Sequence, residues 1–146
     1  MVKIKKLREQ ATKPTKADKH SAGFDLYAII DNPDGREWIW PGDTLVLGSG
    51  YAFEIPEGYF GAVYPRSGLS TKHGICLANG VAVIDSSYRG EVKIPLYNAS
   101  DRKYMVQTGD RVAQIIIEPY RTDELEEVEE LSETERGDGG FGHSGR

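Results

Sequence analysis

Apolar and polar residues alternate singly along much of this chain. Val2 and Ile4 interleave with Lys3 and Lys5, and the same repeat runs through Leu45 and Leu47, through Tyr51, Phe53 and Ile55, and through Val92, Ile94 and Leu96. A period of two sends successive side chains to opposite faces, so each run reads as a short strand with one buried and one wet face. Pro33-Asp34-Gly35, Pro41-Gly42-Asp43, Pro56-Glu57-Gly58 and Thr108-Gly109-Asp110 separate the runs. Proline presets φ and glycine supplies positive φ, which makes these segments turns. Short strands with such punctuation predict an all-β antiparallel sandwich or barrel.

Two stretches depart from the alternation. Ser67-Gly-Leu-Ser-Thr-Lys-His-Gly74 predicts one or two helical turns, with Ser67 as N-cap and Gly74 as terminator. Asp123 to Glu135 is acidic and spaces Leu125, Val128 and Leu131 by threes. That local period favours a helix, but the neighbouring strands favour an edge strand, and an edge strand is the expectation taken. Its acids suit a solvated edge that discourages sheet-to-sheet aggregation.

Bulk properties narrow the function. A chain of 146 residues suits one domain with a real core. Its net charge of −5 argues against a general binder of nucleic acid or of anionic membranes. No signal peptide or bilayer-length apolar run is present, and the lone Cys76 fits a reducing compartment, so the expected location is cytoplasmic, or host cytoplasm for a viral protein. His20, His73 and His143 are far apart and suggest no zinc site. The sequon Asn98-Ala99-Ser100 is then a chance match.

Five segments carry chemistry. Ala22-Gly-Phe-Asp-Leu26 places Asp25 among apolar neighbours, where a carboxylate pairs with an arginine or with amides. Pro65-Arg-Ser-Gly68 opens the short helix, and donors on Arg66 and Ser67 beside the open Gly68 suit phosphate oxygens. Val83-Ile84-Asp85 puts a carboxylate at the end of an apolar strand, with Tyr88 three residues on and Gly90 closing the turn. A strand-end aspartate is ionised at neutral pH and can orient and deprotonate a water, although it also suits an ordinary turn. Gly109-Asp-Arg-Val-Ala-Gln114 leads into aliphatics, among which Gln114 must find a hydrogen-bond partner. Arg136-Gly-Asp-Gly-Gly-Phe-Gly142 and the following His143-Ser144 are too glycine-rich to bury a core. Ordering such a tail costs about 1–2 kcal/mol per residue, so an anionic ligand with a flat ring is expected to organise it as a lid.

In this order and spacing, from Ser21 to Gly145, these segments resemble the five motifs of the homotrimeric dUTP pyrophosphatases, the dUTPases. The resemblance implies a distorted β-barrel or jelly-roll over residues 1–135, with one short helix and a flexible arm over 136–146. It implies a homotrimer with active sites at subunit boundaries. The implied reaction is dUTP plus water to dUMP plus pyrophosphate, with Mg²⁺ on the triphosphate and no direct protein ligand to the metal. Such a reaction limits uracil incorporation into DNA and supplies dUMP for thymidylate synthesis.

Carried over by position, the resemblance makes Asp85 the general base for attack on the α-phosphorus. Arg66, Ser67 and Gly68 hold phosphates from a neighbouring chain, and Gln114 reaches them too. Asn79 and the backbone near Val83 and Ile84 read the uracil edge in a narrow hairpin. Tyr88 packs under the deoxyribose and leaves no space for a 2′-hydroxyl, with Lys93 near the substrate. Asp25 acts indirectly, through water on Mg²⁺ or by shaping the phosphate site. Arg136 meets the γ-phosphate, Phe141 stacks on uracil, and Gly142, His143 and Ser144 cover the phosphates. Ala82 stands where glycine is common, Ser87 where aspartate or glycine is frequent, and His143-Ser144 where Ser-Thr is typical. A dCTP deaminase of the same superfamily would need a glutamate constellation that is not seen. A dUTP-sensing module or a structural β-protein would have little use for Asp85, Arg66 and Arg136 together.

Overall fold

The computed structural model describes residues 1–140. Its strands are β1 (Lys3–Lys6), β2 (Phe24–Tyr27), β3 (Arg36–Ile39), β4 (Thr44–Gly48), β5 (Tyr51–Glu54) and β6 (Tyr59–Pro65), followed after the helix α1 (Ser67–His73) by β7 (Ile75–Leu77), β8 (Ala82–Ile84), β9 (Lys93–Asn98), β10 (Tyr104–Gln107) and β11 (Arg111–Pro119). They form an antiparallel four-stranded sheet ordered β2-β11-β6-β8, a three-stranded sheet β4-β9-β7, and the pairs β1-β5 and β10-β3. The all-β expectation holds. The sheets are jelly-roll-like and do not close into a barrel.

The two-residue repeat explains the core. Val92, Ile94 and Leu96 are fully buried, whereas Lys93 between them is exposed. Leu26, Val63, Val106, Val112 and Ile115 meet them from other strands. Tyr51, Phe53 and Ile55 are buried too, and Ala52 joins them, so β5 is covered on both faces. Asn98 is buried and fully satisfied: its amide donates to the carbonyls of Ile39 (2.8 Å) and Arg102 (2.7 Å), and its oxygen accepts from Ser100. A sequon whose asparagine is enclosed in this way is no glycan acceptor.

Two local expectations are corrected. Arg66, not Ser67, occupies the N-cap: its φ of −86° and ψ of 130° are extended, Ser67 is already helical, and no side chain caps the helix. Gly74 ends α1 as expected, in the left-handed region at φ 67°. The Asp123–Glu135 segment is neither strand nor helix. Leu125, Val128 and Leu131 are exposed there, so among the described residues the segment buries no apolar face. Among the described residues no helix is long and apolar enough to cross a membrane.

Candidate active site

Strand β11 supplies the first part of the site. Its register shifts at a bulge between Arg111 and Ala113, where it pairs with β2. Asp25, on β2 beside it, is 12% exposed at its side chain and accepts from two arginines: Arg66 Nε at 3.0 Å and Arg111 Nη1 at 3.2 Å. Arg66 also donates through Nη1 to the Arg111 carbonyl (3.3 Å). The carboxylate and the bulged strand thus fix the guanidinium that follows β6. Gln114 finds its expected partner by donating to the Pro65 carbonyl at 3.2 Å. Gly23 makes room for it, since a Cβ there would sit 2.9 Å from the Gln114 amide oxygen. Asp25, Arg66, Ser67, Gly68 and Gln114 line one cleft of about 220 Å³, together with Ser21 and Gly23.

A second cleft, about 230 Å³, is lined by Val83, Ile84, Asp85, Tyr88, Glu91 and Lys93. Asp85 follows β8 and faces solvent. Its carbonyl accepts from the Tyr88 amide at 3.1 Å, and Arg89 tightens the turn by donating to the carbonyls of Ser86 and Tyr88. The Tyr88 ring lies across Gly90, where any Cβ would collide with it, and its hydroxyl donates to the Glu91 carbonyl at 3.1 Å. Val83 presents an exposed side chain, whereas Ile84 is buried and offers the cleft little beyond its backbone. Asn79 is exposed before Gly80, whose φ is 70°. The strands on either side of Asn79 pair into different sheets, so the connection is splayed rather than the tip of a paired hairpin.

The two clefts share no residue. Their separation follows from register. In the β6–β8 pair Gly61 faces Ile84, so one position further Asp85 comes abreast of Phe60. Arg66 lies six residues along extended chain from that point, about 20 Å at a strand's rise per residue. Side chains stand roughly perpendicular to a strand, so they do not close this gap. Within one chain the β6–β8 register therefore carries Asp85 and Arg66 apart.

Arg136 is exposed and its Nε donates to the Gly139 carbonyl at 2.8 Å. Phe141, Gly142, His143 and Ser144 lie outside the described residues. Reading the sequence missed three participants. Arg111 stood inside a quoted motif without a role, and the same question asked of Gln114 would have found it. Arg8 and Glu91 form an ion pair at 2.8 Å behind the Tyr88 turn, and no local signal marks either. Hydrogen bonds to Asp31 and then to Glu91 raise the already high pKa of Arg8.

Among the described residues no group of three or more His, Cys, Asp or Glu is arranged to cage a metal. Asp25 keeps free lone pairs on both oxygens beyond its arginine bonds, enough to accept from a metal-bound water.

Fold and clefts together define a class: a small all-β domain with one cleft lined by an arginine and a separate carboxylate-bearing one, parts that suit a phosphoanhydride hydrolase. The profile of the dUTPase family matches residues 9–145. Over 144 residues the chain is 46% identical to the deoxyuridine 5'-triphosphate nucleotidohydrolase of Syntrophotalea carbinolica, covering 99% of this chain and 96% of that one. It is 47% identical over 145 residues to the enzyme of the same name from Nautilia profundicola, covering 99% of each. A variant dUTPase of Staphylococcus bacteriophage 80alpha, solved with dUpNHpp, superposes with a TM-score of 0.89 at 29% identity, covering 100% of this chain and 99% of that one. A phage phi11 dUTPase variant, solved with a coordinated structural Mg(II) ion, gives a TM-score of 0.80 at 26% identity over 91% of this chain and 99% of its own. This chain belongs to the dUTPase family.

Proposed function

We propose that the chain hydrolyses dUTP, as its Mg²⁺ complex, to dUMP and pyrophosphate at a site built from two copies of the chain. Family membership supports the reaction. The distance of about 20 Å between Asp85 and Arg66 along one chain carries the shared site. In this reading Asp85 takes the proton of the water that attacks the α-phosphorus. From a neighbouring copy, Arg66, Ser67, Gly68 and Gln114 hold phosphate oxygens, and Asp25 aims Arg66. Asn79 and the backbone at Val83 and Ile84 meet the uracil edge. Tyr88 lies beneath the deoxyribose and Lys93 stands near the substrate. Residues 1–135 form the domain, and 136–146 form an arm that brings Arg136, Phe141, Gly142, His143 and Ser144 over the bound nucleotide. A homotrimer satisfies the two-copy requirement with closed symmetry.

Phosphoryl transfer needs positioning and charge stabilisation more than covalent help. Mg²⁺ binds phosphate oxygens and keeps several waters, so in this reading the metal would arrive on the substrate and Asp25 would accept from one of its waters. When bound, the ion would neutralise charge on the phosphates. Arginine donors placed in advance do the same without reorganisation.

Pyrophosphate release measured with Mg²⁺ on dUTP, UTP, dTTP and dCTP tests the reading. Release from dUTP alone is expected, falling steeply in EDTA. Asp85→Asn should lower kcat by about 10²–10⁴-fold while dUTP still binds. Unchanged turnover in that variant would remove Asp85 from the base role, and release from all substrates equally would remove the uracil and ribose contacts.

A further inference from the structure

We infer that Arg8 sets the discrimination between deoxyribose and ribose, through Glu91, by fixing where the Tyr88 ring stands. The inference rests on the reading that Tyr88 lies beneath the sugar. Tyr88 is 44% exposed and is held at two points: its ring lies over Gly90, and its hydroxyl hangs from the Glu91 carbonyl at 3.1 Å. The ring tip therefore stands where the Glu91 backbone puts it.

Glu91 is held from elsewhere in the chain. Its side chain is 12% exposed, with one oxygen taking Arg8 Nη2 at 2.8 Å and the other taking the Gly50 amide at 2.8 Å. The carboxylate fills the space that a side chain at position 48 would need, since a Cβ there would lie 3.1 Å from its carboxyl carbon. Arg8 is itself anchored on its far side by Asp31. The N-terminal segment, the β4–β5 turn and the Tyr88 turn are thus tied at one carboxylate.

Removing the guanidinium leaves a largely buried carboxylate with one amide donor, and such a group turns toward water. Its backbone shifts with it and the Tyr88 hydroxyl loses its fixed acceptor. A ring that moves by an ångström no longer closes the space where a 2′-hydroxyl would go. Arg8 touches no substrate in this scheme and is a positioning residue.

The test compares Arg8→Met, Arg8→Lys, Glu91→Gln and Tyr88→Ala with the unsubstituted protein. It reads kcat/KM for dUTP and UTP, and Kd for their non-hydrolysable α,β-imido analogues, which gives a preference even where UTP turnover is immeasurable. Arg8→Met and Glu91→Gln should each lower the deoxy-over-ribo preference roughly tenfold, and Arg8→Lys should restore much of it. Glu91→Gln keeps the side chain's size and the Gly50 bond, so it carries the same expectation should Arg8→Met fail to fold. A purely structural role predicts lower melting temperature with both substrates falling in parallel; a preference unchanged within twofold in the folded variants, while Tyr88→Ala shifts it, would overturn the inference. A preference that Tyr88→Ala leaves unmoved would instead sink the placement of Tyr88 under the sugar, and the inference with it.

Discussion

Asp25→Asn is the substitution that best separates charge from shape in the phosphate cleft. The backbone there is locked independently, because the Asp25 amide donates to the Thr15 carbonyl at 2.7 Å. The change is therefore confined to the side chain. Asparagine can keep its oxygen on Arg66 Nε, now as a neutral acceptor, but it turns an amide toward Arg111 Nη1 and sets two donors face to face. A hydrogen bond to a charged group contributes about 1.5–3 kcal/mol, and a neutral acceptor keeps part of one such bond. The Arg111 side chain is 49% exposed and can turn to water, which offsets some of the loss. The net cost is about 2 kcal/mol per chain, well short of the 3–5 kcal/mol expected had both arginines been sealed in. For a chain of this length that lowers the melting temperature by roughly 5–8 °C in calorimetry. Arg66 also loses its fixed aim, so kcat/KM for dUTP should fall about 10–100-fold. Arg111→Met, which leaves the Asp25–Arg66 pair in place, should cost less on both measures. A melting temperature within a degree of the parent, with kcat/KM within twofold, would show that the Arg111 carbonyl alone holds Arg66, and the carboxylate would lose its assigned role.

Three further outcomes are expected. Co-refolding equal amounts of Arg66→Ala and Asp85→Asn chains should regain about a quarter of parental activity, because that share of randomly assembled two-copy sites is intact; no regain would place the whole site in one chain. Gly50→Ala should destabilise by roughly 2–4 kcal/mol, seen as a lower denaturant midpoint at constant m. Gly50 has a φ of 72°, and a Cβ there would meet Ala11 and come within 2.6 Å of Ile29. Its parental stability in Gly50→Ala would contradict the packing. At high pH, Tyr64 is held above its ordinary pKa of 10.0, first by its hydrogen bond to Glu118 and then by burial. A raised folded pKa means that the stabilisation is complete below the unfolded value and is lost as pH rises through the folded one. Tyr64→Phe should therefore flatten part of the fall in melting temperature above pH about 10, and an identical slope would count against it.

The strands were legible wherever burial differs between faces. Val92, Ile94 and Leu96 gave β9 and its core face directly, because Lys93 between them is wet. Positions whose state depends on something other than the local pattern were not legible. Ser67 has the chemistry of an N-cap, yet the chain stays extended one residue earlier than that chemistry suggests, and Arg66 takes the place because Asp25 holds its side chain across β11. Leu125, Val128 and Leu131 looked like one face of an element, but a face exists only when something covers it, and nothing among the described residues does. Residues proposed to touch substrate stood in short segments whose chemistry could be named one at a time. Residues that position them did not: Arg8 and Glu91 are 83 positions apart, and neither has a neighbour that marks it.

The division of the site follows from the same strand geometry that makes the core. A carboxylate proposed to meet water and an arginine proposed to meet phosphate are both most easily placed at strand ends, where the chain leaves the sheet. In the antiparallel β6–β8 pair, however, the C-terminal ends of the two strands point in opposite directions, so Asp85 and Arg66 are carried apart by the pairing that fixes each of them. Moving either along its strand by one residue would turn it to the other face. One copy that holds both groups rigidly holds them apart, which is the reason a two-copy site is proposed. A second copy removes the conflict without loosening either strand. The co-refolding experiment bears most directly on this point, because it asks whether Asp85 and Arg66 function when each comes from a different chain.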